Sequence, residues 1–269
     1  PSLTNYNMVI FAKSGAGKSV TMKTLISRSA VLMGIQSLAL DAEGEYSIVA
    51  ESLGGINVVL SPTSSTVINI FDLETEIVKD EITGRERLVL NVENKVEDVT
   101  QALLTMARGS TRSQEVNELT KQIIAESVSE EYASLGINGD PNSLYKTSNG
   151  SMGGNMLGKE KKEMPTIGSW YRRIQRKAEE NKNQDYSFHY SYLLKVMKQY
   201  IREYDGQMAY FDGQSTFDLL DGTLFINLDI SQLEERFARP LAQQILLAWI
   251  WEKYVKKNSE DRERASKKR

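Results

Sequence analysis

Apolar and polar positions follow two rhythms along this chain. In the first third, apolar residues come in short unbroken runs of strand length, at 7–12 (NMVIFA), 36–40 (QSLAL) and 56–60 (INVVL), with a further apolar segment at 67–73 (VINIFDL). From residue 93 to about 204 they recur every three or four positions, the period of a helix face. This spacing predicts helices over 96–106, 115–132, 167–180 and 188–204, with a loop rich in Asn-Gly and Gly-Gly signals over 136–166. The strand rhythm returns at 223–228 (TLFINL), closed by Asp229. Helical spacing then resumes over 241–255, where Leu246, Leu247, Trp249, Ile250 and Trp251 are expected to bury against a sheet. Between the first two runs, 20–33 reads as a helix, and strand, helix, strand with short links implies a right-handed crossover and a parallel sheet.

The link from the first run to that helix is Ala12-Lys13-Ser14-Gly15-Ala16-Gly17-Lys18-Ser19, the spacing of a phosphate-binding loop, or Walker A motif. A glycine turn of this kind leaves successive backbone N–H groups facing one concavity, and the helix N-terminus adds partial positive charge. Lys18 supplies a full charge for β- and γ-phosphates, and the Ser19 hydroxyl can ligate Mg²⁺. Ala12 stands where the usual pattern has Gly; a methyl is the smallest change available there. The bland alternative is a glycine turn with a surface lysine. The strand-turn-helix context favours a nucleoside triphosphate, ATP with Mg²⁺.

At the end of the second run lies Asp41-Ala42-Glu43-Gly44-Glu45-Tyr46. The carboxyl edge of a parallel sheet is where ligands bind. Three acids beside a triphosphate are unfavourable unless a cation or a catalytic water uses them. A solvated loop leading into a short helix over 45–53 explains the same residues.

Composition narrows the remaining options. The 269 residues carry a formal net charge of −3, so no global basic field points to nucleic acid. There is no Cys and a single His, His189, so disulfides, thiolate metal sites and histidine-based triads are excluded within this chain. No apolar run approaches the ~20 residues of a membrane span. Arg172-Arg173-Ile174-Gln175-Arg176-Lys177, preceded by Trp170 and Tyr171, is the one dense basic patch with aromatics. It reads as a solvated helix face or as a surface for nucleic acid or a partner.

The order of NMVIFAKSGAGKS, ALDAEGEY, GGINVVLSP and INIFDLE resembles the ATPase domain of the TraE/TrbE/CagE-type VirB ATPases. These energise conjugative type IV secretion and belong to the HerA/FtsK superfamily of RecA-like motors; the variant here is similar to those of Gram-positive conjugative elements. The resemblance covers most of the chain. It is carried most specifically by Asp41, Glu45 and Tyr46, by Asn69-Ile70-Phe71, and by FDGQSTFDLLDGTLFINLDISQL followed by LLAWIWEKY. It implies a catalytic role for Glu45 with Asp41 in support, an all-α insertion, a structural role for the 223–228 strand, and a Mg²⁺-binding Asp-Glu strand after the next helix. Asp229 closes its strand as a Mg²⁺ acid would, but Asn227 interrupts the run and no Glu follows Asp229.

The expected architecture is an α/β P-loop NTPase with a RecA-like, mostly parallel sheet formed by 1–91 and 205–269, and a helical subdomain at 92–204. The chain opens on Pro1 and ends in a charged tail where the family pattern has its Asp-Glu strand, so it is expected to be a piece of a longer motor and to hydrolyse ATP negligibly alone. The resemblance implies a ring, with a hexamer as one form, and other secretion proteins holding it at the cytoplasmic face of the membrane. DNA is a further candidate partner. The alternatives are a DNA translocase or coupling protein of the same superfamily, and a nucleotide-dependent scaffold without turnover.

Overall fold

The computed structural model describes residues 8–79, 84–109, 117–146, 160–181, 186–217 and 223–256. By contacts the chain falls into two units, 1–59 with 220–232, and 60–219 with 233–269.

The first unit is built on β5, Phe225–Asp229, every residue of which is buried. It lies between β1, Ser37–Asp41, and β2, Ile56–Val59, in a parallel sheet of order β1-β5-β2. In register, Ser37 to Asp41 face Phe225 to Asp229 one for one, and Ile56 to Val59 face Ile226 to Asp229. Side chains alternate between the faces of a strand. One face therefore presents Leu38, Leu40, Ile226, Leu228, Ile56 and Val58, and the other Ala39, Asp41, Phe225, Asn227, Asp229 and Asn57. On the mixed face Phe225 packs with Val49 and Ala50 of α2, Ser47–Ser52, joined by Ile26 of α1, Lys18–Met33. Gly55 is required at the entry to β2, because a Cβ there would lie 2.2 Å from the Phe225 carbonyl oxygen.

The expected α/β class and parallel sheet are thus present, and β1, β2 and β5 lie within a residue or two of the runs that predicted them. The run at 7–12 behaves differently. Residues 8–13 have no regular structure, and Met8, Val9 and Phe11 are exposed, Phe11 by 91%. An apolar run becomes a strand only where a neighbour takes up its backbone hydrogen bonds, and among the described residues none pairs with it. Residue 7 lies outside the described residues.

The first regular elements of the second unit are an antiparallel hairpin, β3 (Glu76–Lys79) and β4 (Glu86–Val89), followed by α3 (Val92–Arg108), α4 (Glu118–Ser134), α5 (Ile167–Glu180) and α6 (Ser187–Met197). Beyond α6 the chain tightens into 3-10 turns at Lys198–Tyr200 and Arg202–Tyr204, where a continuous helix was expected. Helix α7, Ala238–Ile250, runs into a wider π-type turn, Trp251–Val255. Its Leu246 and Trp249 are buried, but within the second unit, where α7 packs on α3 and not on the sheet as expected; the Trp249 ring lies tilted against Phe217 with centroids 5.2 Å apart. Leu247 and Trp251 are exposed instead, since a helix apolar on all sides does not reveal by periodicity which side is covered.

The Asn69-Ile70-Phe71-Asp72 stretch is the hub of this unit. The Asn69 amide donates to the Pro165 carbonyl at 2.8 Å, the Tyr132 hydroxyl donates to the Phe71 carbonyl at 2.8 Å, and Asp72 accepts from Ser215 Oγ at 2.6 Å. His189 is buried in α6, with its Nδ1 2.9 Å from Thr120 Oγ1 on α4, an interhelix tie. The centre of the 136–166 loop and the charged tail beyond 256 lie outside the described residues.

Candidate nucleotide site

Ala12 and Lys13 lead into a tight turn over Ser14, Gly15 and Ala16, closed by the Ala16 N–H donating to the Lys13 carbonyl at 3.1 Å. Gly15 (φ +78°) and Gly17 (φ +84°) both take the left-handed conformation. A Cβ at either would meet nothing within 4 Å, so the dihedral angle, not crowding, demands glycine. Gly17 is the N-cap of α1 and has no side chain to satisfy the first amides of the helix. Lys18 and Ser19 are the first two helical residues, Lys18 exposed and Ser19 half-buried. Helix-start amides with no side-chain cap, beside an exposed ammonium and a hydroxyl, suit the polyphosphate of a nucleotide.

The direction of α1 follows from its contacts. Ile26 packs near Phe225, the first residue of β5, while Lys23, nearer the helix start, lies over the Tyr46 ring at 5.6 Å. Tyr46 follows the end of β1, so the start of α1 points to the carboxyl edge of the sheet.

That edge carries the acidic loop. Asp41 is buried, and Oδ1 accepts from the backbone N–H of Glu43 (3.2 Å) and Gly44 (2.9 Å) while Oδ2 accepts from Tyr46 N–H (2.9 Å). Its oxygens are occupied in folding the loop back on the strand end. Glu43 and Glu45 remain exposed on that loop. Burial, with Asp41 and Glu45 adding to it, raises the Tyr46 phenol above its ordinary pKa, so it stays a neutral donor. Only Glu45 and Glu43 are therefore free to act on a ligand or water from this loop, and Asp41 supports them from beneath.

Asp229 ends the central strand in register with Asp41. Its Oδ1 accepts from Ser231 N–H at 2.9 Å. A Cβ on Gly44 (φ +71°) would lie 2.8 Å from Ser231 Oγ and 3.7 Å from Asp229 Oδ2, so the two strand-end loops touch. Asn227, fully buried two residues earlier, donates from Nδ2 to Asn57 Oδ1 at 2.8 Å and, weakly, to Asp41 Oδ2 at 3.4 Å. Its Oδ1 is buried without a partner. The sequence flagged Asn227 only as an interruption of an apolar strand; a polar residue in the middle of a buried run was the available signal of this link. Among the described residues no three His, Cys, Asp or Glu side chains are grouped to hold a metal ion.

The family model described as "Helicase HerA, central domain" matches residues 2–212. The chain belongs to this family. It places the HerA-type domain in the HerA/FtsK superfamily of ATPases, as the glycine turn and acidic loop suggest. Among solved structures, VirB4 of Thermoanaerobacter pseudethanolicus is similar with a TM-score of 0.58 and 21% identity, over 87% of this chain and 74% of that one. At that identity the likeness speaks for the fold, a P-loop α/β fold. No curated protein matches. Among the described residues of this HerA-family domain, no helix is long and apolar enough to cross a membrane.

Proposed function

We propose that this domain binds ATP and hydrolyses it as part of a motor that energises a conjugative type IV secretion system. The observation that carries the reading is the left-handed pair Gly15 and Gly17 opening α1 with Lys18 and Ser19 in its first turn. In this reading the turn from Ala12 to Gly17 cradles the phosphates with its amides, and Lys18 neutralises the β- and γ-oxygens. Ser19 would hold Mg²⁺ together with phosphate oxygens, the usual way this ion is bound with few protein ligands. The ion would supply charge neutralisation of the triphosphate.

Glu45 positions the water for in-line attack on the γ-phosphorus. The P–O bond to the β-phosphate breaks as the new one forms, giving ADP and phosphate. Glu45 is exposed at the loop that Asp41 holds, at the sheet edge toward which α1 starts. The proposal includes a nucleotide domain of 1–91 with 205–269, a helical subdomain at 92–204, assembly into a ring, and partners at the cytoplasmic face of the membrane. Isothermal calorimetry with Mg·ATP tests the binding step. Heat of binding that persists unchanged in a folded Lys18→Ala protein would overturn the site.

A further inference from the structure

A cavity of about 830 Å³ opens between α5 and α6 in the second unit and does not involve the nucleotide loop. The basic patch of the sequence lines it. Arg173 is spent on its neighbours, bonded to Glu131 and 3.6 Å from Glu130. Arg172 and Arg176 remain. They are one helical turn apart, about 6 Å along the axis, and both are exposed. Arg172 makes an ion pair with Glu203 at 3.3 Å in which both side chains are more than half exposed, a pair that contributes little and can be exchanged. Arg176 has no carboxylate within ion-pair distance among the described residues. Leu194 and Ala178 form apolar wall, and Glu179 and polar residues such as Gln175 and Ser191 line the rest.

From this arrangement we infer that the α5/α6 cleft docks an acidic peptide segment of a partner protein, two carboxylates of which are received by Arg172 and Arg176. A guanidinium takes a carboxylate through two parallel hydrogen bonds, and the apolar wall accommodates a side-chain stem. The charge pattern favours a peptide over a nucleic-acid strand. A strand would carry an unbroken row of phosphates past Glu179 and Glu203, whereas a peptide can set neutral residues there.

The test is fluorescence anisotropy with three labelled probes on the whole chain: an alanine-based helical peptide with Glu at positions i and i+4, the same peptide with Gln, and a single-stranded oligothymidylate. The Glu peptide is expected to bind about tenfold or more tightly than the Gln peptide. Arg172→Glu with Arg176→Glu should abolish that difference without lowering the melting temperature, since both residues are exposed. Glu203→Gln, which frees Arg172, should tighten Glu-peptide binding by about two- to threefold. Equal binding of the two peptides, no binding of the Glu peptide up to about 1 mM, or an unaltered double variant overturns the inference. Tighter binding of the oligonucleotide than of the Glu peptide, lost in the double variant, reassigns the cleft to nucleic acid and overturns it equally.

Discussion

Trp249 Nε1 donates to Asp72 Oδ2 at 2.9 Å, joining α7 to a segment 177 residues earlier. The same oxygen accepts from Ser215 Oγ at 2.6 Å and lies 3.5 Å from Lys253 Nζ. Asp72 is buried, and its charge is tolerable only because these donors surround it. Trp249→Phe keeps most of the apolar body and removes one donor, so it should cost about 1–3 kcal/mol of unfolding free energy. Because Ser215 shares the oxygen, Trp249→Phe and Ser215→Ala should be non-additive in a double-mutant cycle read by denaturant unfolding. Strict additivity would mean that the two donors stabilise Asp72 independently of each other.

Lys18 is the one mobile positive charge in the first turn of α1, exposed at the rim of the glycine turn. Lys18→Ala should leave thermal stability unchanged, because no folded-state contact is lost, and weaken Mg·ATP binding by about tenfold or more. Ser19→Ala should reduce the dependence of nucleotide binding on Mg²⁺ while sparing metal-free ADP. Calorimetry with and without Mg²⁺ separates the two.

Glu45 and Asp229 make opposite predictions. Glu45 is exposed and donor-free on the loop that Asp41 folds, so Glu45→Gln should retain ATP binding and lower turnover by about 10² to 10⁴, the range of a positioned acid or base. Asp229 is buried, with Oδ1 held by Ser231 N–H. Asp229→Asn should therefore act mainly on stability. The measurement is steady-state phosphate release by the complete motor, beside its melting temperature. Normal turnover with Gln at 45 and lost turnover with Asn at 229 would exchange their roles.

Glu74 sits between Lys161 (2.6 Å) and Lys253 (2.8 Å). Burial works to raise its pKa, but the two ammonium groups outweigh it and hold the carboxyl below its ordinary value. A folded pKa below the unfolded one means that the charge stabilises the protein above the unfolded pKa. The contribution disappears as pH falls through the folded pKa. Glu74→Gln should thus be less stable by about 1–3 kcal/mol near neutral pH. The gap to wild type should close in acid, below the usual carboxylate range. A gap independent of pH from 7 to 3, by urea unfolding, would show that the hydrogen bonds matter and the charge does not.

What the sequence made legible depends on whether a signal is local. QSLAL closed by Asp41, INVVL and TLFINL each carry an apolar run bounded by turn residues, and each became a strand of one sheet. Helix α5 begins and ends where its period predicted, with Thr166 and Ser169 forming a capping box at its start. The β3–β4 hairpin escaped notice because its strands, Glu-Ile-Val-Lys and Glu-Arg-Leu-Val, are short and half charged and show no period, and only Ile77 with Leu88 pairs apolar with apolar. The role of Asp41 was half legible. An acid at a strand end is visible in sequence, but not that its two oxygens are consumed by three backbone N–H groups, which leaves Glu45 free. The exposed course of residues 8–13 was not legible, because strand formation there depends on a pairing neighbour that composition does not specify.

Asn227 provides a case where stability and positioning should part. It occupies the centre of a fully buried strand, between Ala39 and Asn57 in register, with Oδ1 buried and unpartnered. Burying an unsatisfied amide oxygen costs about 1–3 kcal/mol, and its best hydrogen bond goes to Asn57, an exposed residue that water can satisfy instead. An apolar residue of similar volume should therefore leave the fold equally stable or more so. Yet the other contact of Nδ2 is with Asp41 Oδ2, the oxygen that holds Tyr46 N–H and so fixes the end of the Glu45 loop. Asn227→Leu is expected to keep or raise the unfolding free energy by about 1 kcal/mol while the amides of Gly44 and Tyr46 exchange faster with deuterium. Hydrogen-exchange mass spectrometry on the intact chain, set beside urea unfolding, reads both quantities. If protection of these amides is unchanged, Asn227 does not position the loop; if stability and protection fall together across the whole first unit, Asn227 is an ordinary structural hydrogen-bonding residue.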